Sequence, residues 1–199
     1  VRYEWQGVPV IAVGIPGGMS PEESYHHPRM AECFREVLEA VRPDVVHFHS
    51  IQQLGANLAS PCTEMGIPYV ITLHDAWWLC ERQFMVKADG NYCHQDGVQL
   101  LACRGCMTDP AFSHRRYHRL WRILANAALL LAPSEFHRTL HVWSGLSADH
   151  VSVNKNGINL PAPGYQHRAR DHRLRFAYLG GRAAHKGYFH LKQIFESLP

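Results

Sequence analysis

An α/β domain built on a parallel sheet is predicted by two observations: short apolar strand-type runs alternate with helix-type stripes, and Gly or Pro marks the short joints between them. In such βαβ units the crossovers are right-handed almost without exception. Residues 8–14 read as a first, buried strand ending at Gly14. A helix follows from Pro28 to Val41, with Met30, Phe34, Val37, Leu38 and Val41 at helical spacing and Pro28 at its first turn; Cys33 is expected near that stripe. Arg42-Pro43-Asp44 ends it, and residues 45–49 form the next strand.

A second helix is expected from Ile51 to Met65, carrying Ile51, Leu54, Leu58, Cys62 and Met65 on one face, with Pro61 as a kink or break and Gly66 as the stop. Residues 69–73 are a strand. The stretch from Asp75 to Asp109 is too long for an ordinary connection and breaks the rhythm. Beyond it come a helix over 113–126, a strand over 128–133, a short helix over 135–143 and a strand over 150–153. Residues 154–173 lack periodicity and read as a linker, after which residues 174–179 resume a strand and Gly180-Gly181 leads into a helix. The expected division is 1–153, linker 154–173, and the opening of a second domain over 174–199.

Composition narrows the function classes. With 199 residues and 46% apolar content the chain buries one good core but falls short of two complete domains. No apolar run approaches the roughly 18 residues that span a bilayer, and no export signal opens the chain, so a cytoplasmic location is expected. A net charge of +3 does not point to nucleic acid, although 15 His raise it in acid.

In open parallel sheets ligands gather at the carboxyl ends of strands. His49, His74 with Asp75, and Ser134 with Glu135 occupy such positions. A strand-end His can hydrogen-bond a sugar hydroxyl or accept a proton near neutral pH. His47 shares the His49 face by the two-residue period and is expected to lie deeper.

Arg42-Pro43-Asp44-Val-Val-His47-Phe-His49, then Gly66-Ile-Pro-Tyr-Val70 and Thr72-Leu-His74-Asp75, resemble the N-terminal half of retaining glycosyltransferases of family 4, which have the two-domain GT-B fold. Asn156-Gly157-Ile158 is similar to the family's interdomain hinge, and Gly181-Arg182 with His185-Lys186-Gly187 to the start of its donor domain. The resemblance implies a Rossmann-like sheet with helices on both faces, followed by the first βα unit of a second such domain. It also implies transfer of a sugar from a nucleotide-sugar donor to an acceptor hydroxyl with retention and without a catalytic metal. On the same resemblance His74 is the catalytic-site histidine and Gly181, Arg182, Lys186, Ser134 and Glu135 serve the donor. His49 and Asp75 lie on the acceptor side, and the acceptor is a sugar or a lipid-linked sugar in polysaccharide or glycolipid synthesis. The family's first strand and glycine-rich loop would precede residue 1, and its glutamate motif would follow residue 199. Transfer is therefore expected of a longer parent, and the fragment alone is expected to be inactive.

Cys80, Cys93, Cys103 and Cys106 cluster in the irregular segment, and Cys103-Arg-Gly-Cys106 can present two sulfurs to one ion. A structural tetrahedral zinc is expected; an iron-sulfur cluster, unligated or disulfide-bonded cysteines, or His94 in place of one thiol are the alternatives. The helix over 113–126 carries Arg115, Arg116, Arg119 and Arg122, either as a solvated face or as a peripheral contact with the inner face of a membrane. Trp77, Trp78 and Phe84 either stack on acceptor sugars or pack around the cysteine segment. The rival function is a metal-stabilised binding domain without catalysis. A nicotinamide-dependent oxidoreductase is disfavoured, because no Gly-x-Gly-x-x-Gly follows any strand.

Overall fold

The computed structural model describes residues 1–15, 17–160, 164 and 176–198. It opens with a hairpin of β1 (Arg2–Trp5) and β2 (Val8–Ile11), paired antiparallel from Trp5↔Val8 to Arg2↔Ile11. This corrects the first predicted strand, which belongs to an exposed hairpin and not to the buried sheet. The reason is local: Gln6 and Gly7 both take positive φ, 50° and 80°, the geometry of a two-residue turn between twisted antiparallel strands. Such a turn leaves no room for a parallel crossover.

Helix α1 (Pro28–Val41) has the predicted bounds. The His27 ring accepts from Met30 N at 3.3 Å, Pro28 fills the first turn where no N–H is needed, and Arg42 closes the helix in the left-handed region. Met30 and Leu38 are buried and Phe34 packs against them, whereas Cys33 points to solvent, contrary to its expected place near the stripe.

The parallel sheet consists of β3 (Val46–His49), β4 (Tyr69–Thr72), β5 (Leu129–Ala132) and β6 (Val151–Val153), in that spatial order. All three pairings are parallel, so every strand points its carboxyl end the same way. Between β3 and β4 the predicted single helix is shorter and divided. A 3-10 turn covers Ala56–Leu58, and α2 runs only over Ala59–Glu64. Gly55 at φ 91° breaks the path from Ile51, and Pro61 then sits in the first turn of α2, where its missing N–H costs nothing. Ile51, Leu58 and Cys62 are buried as the stripe requires, but Met65 is not.

Helix α3 (Pro110–Asn126) begins three residues before the predicted start, because Asp109 caps it through Ala111 N (2.9 Å) and Phe112 N (3.2 Å). Helix α4 (Glu135–Trp143) has the predicted bounds, capped by Ser134, whose Oγ accepts from His137 N at 3.3 Å. The core joins Phe48, Tyr69, Ile71, Leu130, Ala132 and Val151 of the sheet with Leu38, Leu120, Leu124 and Leu140 of the helices that flank it. Tyr69 reaches further, its hydroxyl donating to Ile123 O at 2.8 Å and tying β4 to α3.

Residues 75–109 form a short bridge between Val86 and Tyr92 and a 3-10 turn over Leu100–Cys103, and are otherwise irregular. Their side chains nevertheless extend the core, since Trp77, Trp78, Leu79, Met85 and Val98 are buried. At the far end, residues 174 and 175 of the expected strand lie outside the described residues, and residues 176–179 join no sheet. A 3-10 turn over Ala184–Lys186 then leads into α5 (Tyr188–Ser197), which buries none of its residues. Most of the expected linker also lies outside the described residues.

Candidate functional site

Because all four sheet strands are parallel, His49, His74, Asp75, Ser134 and Glu135 all fall at one edge, just past or at the carboxyl ends of β3, β4 and β5. Val70, Thr72 and His74 face the same way by the two-residue period, opposite His47 and His49 of β3. The consequence is a polar ladder. His47 Nε2 lies 2.8 Å from Thr72 Oγ1, and His49 Nδ1 lies 2.9 Å from His74 Nε2. His47 is exposed and not deep as expected, because among the described residues its face of β3 is left open while Phe48 on the other face enters the core.

The His49–His74 contact needs one donor and one acceptor nitrogen, so it forms when at most one ring carries two protons. Burial lowers the His49 pKa, and the neighbouring His47 and His74 lower it further. The lowered pKa favours a neutral His49, and the contact uses only His74 Nε2, which leaves His74 Nδ1 able to meet a hydroxyl.

Asp75 is held from both sides: Oδ1 accepts from Trp77 N at 2.8 Å and Oδ2 from Gln83 Nε2 at 2.7 Å. Gln83 O accepts in turn from Ala76 N at 3.1 Å. Sequence reading did not find Gln83; an amide eight residues beyond an Asp carries no periodic signal. Ser134 Oγ caps α4, and Glu135 lies in the first turn of that helix, where a carboxylate suits the helix dipole.

The glycine-rich turn near the end of the chain orders itself locally. The Tyr178 hydroxyl lies 2.9 Å from Gly181 O and 3.2 Å from Lys186 O, and Arg182 sits over the Tyr188 ring at 5.4 Å. His185, beside Lys186, stacks on Phe84 with ring centroids 4.3 Å apart. The turn thus touches the segment that begins at His74. Among the described residues no hydrogen bond or ion pair joins Arg182 or Lys186 to His74, Ser134 or Glu135.

The aromatic platform divides. Trp77 and Trp78 are buried core residues, so they present no face to a sugar, whereas Phe84 is 42% exposed but covered on one side by His185. The basic helix divides as well. Arg115 and Arg122 are exposed, Arg119 pairs with Glu22 at 2.9 Å, and Arg116 is only 4% exposed. Arg116 donates to Trp77 O and lies 4.9 Å from the Trp77 ring and 5.9 Å from that of Tyr25. Burial lowers its pKa to about 10, still well above neutrality. The signal was present: Arg116 stands four and eight residues before Leu120 and Leu124, on the buried stripe.

Cys80, Cys93, Cys103 and Cys106 line one cavity of about 360 Å³ together with Glu81, Met85 and Arg116. All four are free thiols, and His94 is not among the lining residues. Burial pushes the Cys80 thiol up, and charge on Cys103, Cys106 and Cys93 adds to that shift. Among the described residues no three Cys, His, Asp or Glu donors already surround a single point at ligating distance.

The family model described as Glycosyltransferase Family 4 matches residues 2–161. The chain belongs to this family. No curated protein and no solved structure gives a match. In this family 4 domain the parallel sheet flanked by helices is consistent with a Rossmann-like N-terminal unit, and the family identifies the chain with sugar transfer between a donor and an acceptor. The match spans the hairpin, the whole sheet and the cysteine segment, so the cysteines lie inside the family 4 domain.

Proposed function

We propose that the chain is the acceptor-side part of a retaining GT-B glycosyltransferase that moves a sugar from a nucleotide-sugar donor to an acceptor hydroxyl. The supporting observation is the convergence of the His49–His74 pair, the doubly held Asp75 and the capped start of α4 at one sheet edge in a family 4 chain. In this reading residues 174–199 open the donor domain and residues 154–173 are the interdomain linker.

In the transfer, the bond from the anomeric carbon to the diphosphate oxygen breaks and the acceptor oxygen bonds that carbon on the same face. The acceptor's proton leaves with the diphosphate. His74, oriented by His49, hydrogen-bonds a hydroxyl of the donor sugar. His49 and Asp75 border the acceptor. Arg182 and Lys186, with the Gly181 turn, meet the diphosphate, whose growing negative charge they stabilise most where water is excluded. Ser134 and Glu135 at the start of α4 border the donor. No catalytic metal takes part. Exposed Arg115 and Arg122 suit a lipid-linked acceptor presented at the inner face of a membrane, in polysaccharide or glycolipid synthesis. No helix among the described residues is long and apolar enough to cross one.

In the full-length enzyme, His74→Ala lowers kcat. Arg182→Ala and Lys186→Ala lower kcat and also weaken nucleotide-sugar binding. Each loss is on the order of 2 to 4 kcal/mol in kcat/KM, if the contact tightens in the transition state. Near-native turnover in these variants refutes the roles assigned.

A further inference from the structure

Sugar transfer as described above makes no use of the four cysteines between β4 and α3, yet the fold brings them together from separate points of an irregular segment. Each backbone position is fixed by hydrogen bonds that do not involve the sulfurs. Cys80 N donates to Ala76 O at 2.7 Å and Cys93 N to Met85 O at 2.8 Å, while Cys106 N and Met107 N close a tight turn onto Cys103 O at 2.8 and 3.1 Å. That turn sets two of the four thiols on one wall of the shared cavity of about 360 Å³. Gln95 Nε2 lies 3.3 Å from the Cys93 sulfur and 3.5 Å from the Cys103 sulfur, so a single donor already bridges two of them.

A second observation is independent of the cysteines. Arg116 lines the same cavity, is almost wholly buried, and pairs with no carboxylate within ion-pair distance among the described residues. Glu81, whose charge favours the cation, accepts from Ser113 Oγ instead. A buried cation without a matched anion is costly, and the neighbouring wall offers four groups that become anionic together when they ligate a metal.

We propose that Cys80, Cys93, Cys103 and Cys106 bind one zinc(II) ion as a structural tetrathiolate, with Arg116 and Arg82 offsetting its charge. The reaction exchanges protons for metal: four thiols release four protons to solvent, one Zn²⁺ is bound, the complex carries two negative charges, and nothing is oxidised or reduced. Four thiolates complete the tetrahedron and leave no position for water or substrate, so the role is structural. Binding turns the four side chains inward across the cavity. The ion then clamps the segment that starts at His74 and Asp75, because Arg116 holds Trp77 O and Gln83 holds Asp75 within that same segment. The proposal stands apart from the sugar-transfer reading, since a binding domain without catalysis would use the clamp equally well.

The test is elemental analysis of the full-length protein, purified under reducing conditions without added metal. One zinc per chain is expected, with the four thiols unreactive toward a thiol reagent until a strong chelator removes the ion. Cys33→Ser, on the exposed face of α1, keeps full metal content, and Cys103→Ser and Cys106→Ser lose at least half of it. Should those two variants fail to fold, cobalt(II) replacement in the unaltered protein gives the same answer through the visible absorption of a tetrahedral thiolate site. Chelation is also expected to raise hydrogen exchange across residues 76–109 while β3 to β6 stay protected. Zinc content near zero with four thiols titrating in the native state overturns the proposal, as does a disulfide among them under reducing purification, or iron with sulfide in place of zinc.

Discussion

A buried imidazole makes the clearest residue-scale prediction. His141 has no exposed surface; its Nδ1 lies 2.8 Å from His137 O and its Nε2 has no partner among the described residues. Burial drives its pKa from the ordinary 6.5 down to about 4. The folded chain therefore keeps it neutral while the unfolded chain takes up a proton near pH 6.5, so stability is full above that pH and falls as the pH drops toward 4. The loss is on the order of 3 kcal/mol. His137 and His49 shift in the same direction and add to the slope. Thermal unfolding followed between pH 7 and 4 should show a smaller fall in Tm for His141→Leu than for the unaltered protein; an unchanged slope would assign the acid sensitivity elsewhere. Protonation has a second effect at this scale, because the His49–His74 contact at 2.9 Å loses its acceptor once both rings carry two protons.

Two elements carry predictions that separate structural from surface roles. On α3, Arg116→Ala leaves Trp77 O without its donor and opens space between two aromatic rings, a destabilisation of about 3 kcal/mol, whereas Arg115→Ala and Arg122→Ala stay within about 0.5 kcal/mol. Urea unfolding of the three variants checks this; equal midpoints would mean that the burial of Arg116 contributes nothing. At the start of the α2 region, Gly55→Ala places a Cβ 2.6 Å from Asn57 Oδ1 and 2.8 Å from His27 N, at φ 91°. Asn57 Oδ1 accepts from His27 N at 2.7 Å, and His27 caps α1, so the strain reaches two helices and costs upward of about 2 kcal/mol. A Gly55→Ala chain that unfolds at the same urea concentration as its parent would contradict this. The elements legible in the sequence were those with strong periodicity and local caps, such as α1 and α4, whose bounds the structure repeats. What escaped was set by backbone sign or by distant partners. The Gln6-Gly7 turn converts a strand into a hairpin, Gly55 interrupts an otherwise continuous stripe, and Arg116 is drawn inward by a carbonyl 39 residues away in sequence.

At the scale of the whole molecule, the parallel sheet fixes the address of the site before any side chain is considered, because every strand delivers its next residues to the same edge. The strand-end residues His49, His74, Asp75, Ser134 and Glu135 were legible for that reason. The contacts of Thr72 with His47 and of Gln83 with Asp75 were not, since only the register of β3 against β4 and the path of the irregular segment bring these side chains into reach. The central claim, sugar transfer with retention by a family 4 domain, is tested most directly by one measurement on the full-length enzyme. A panel of nucleotide sugars is incubated with a glycan or glycolipid acceptor, and the anomeric configuration of the product is read by NMR. The account predicts one nucleoside diphosphate released per sugar transferred and a product with the donor's anomeric configuration. A product of inverted configuration, or no transfer from any donor by a protein that still binds a partner through its cysteine segment, would contradict it.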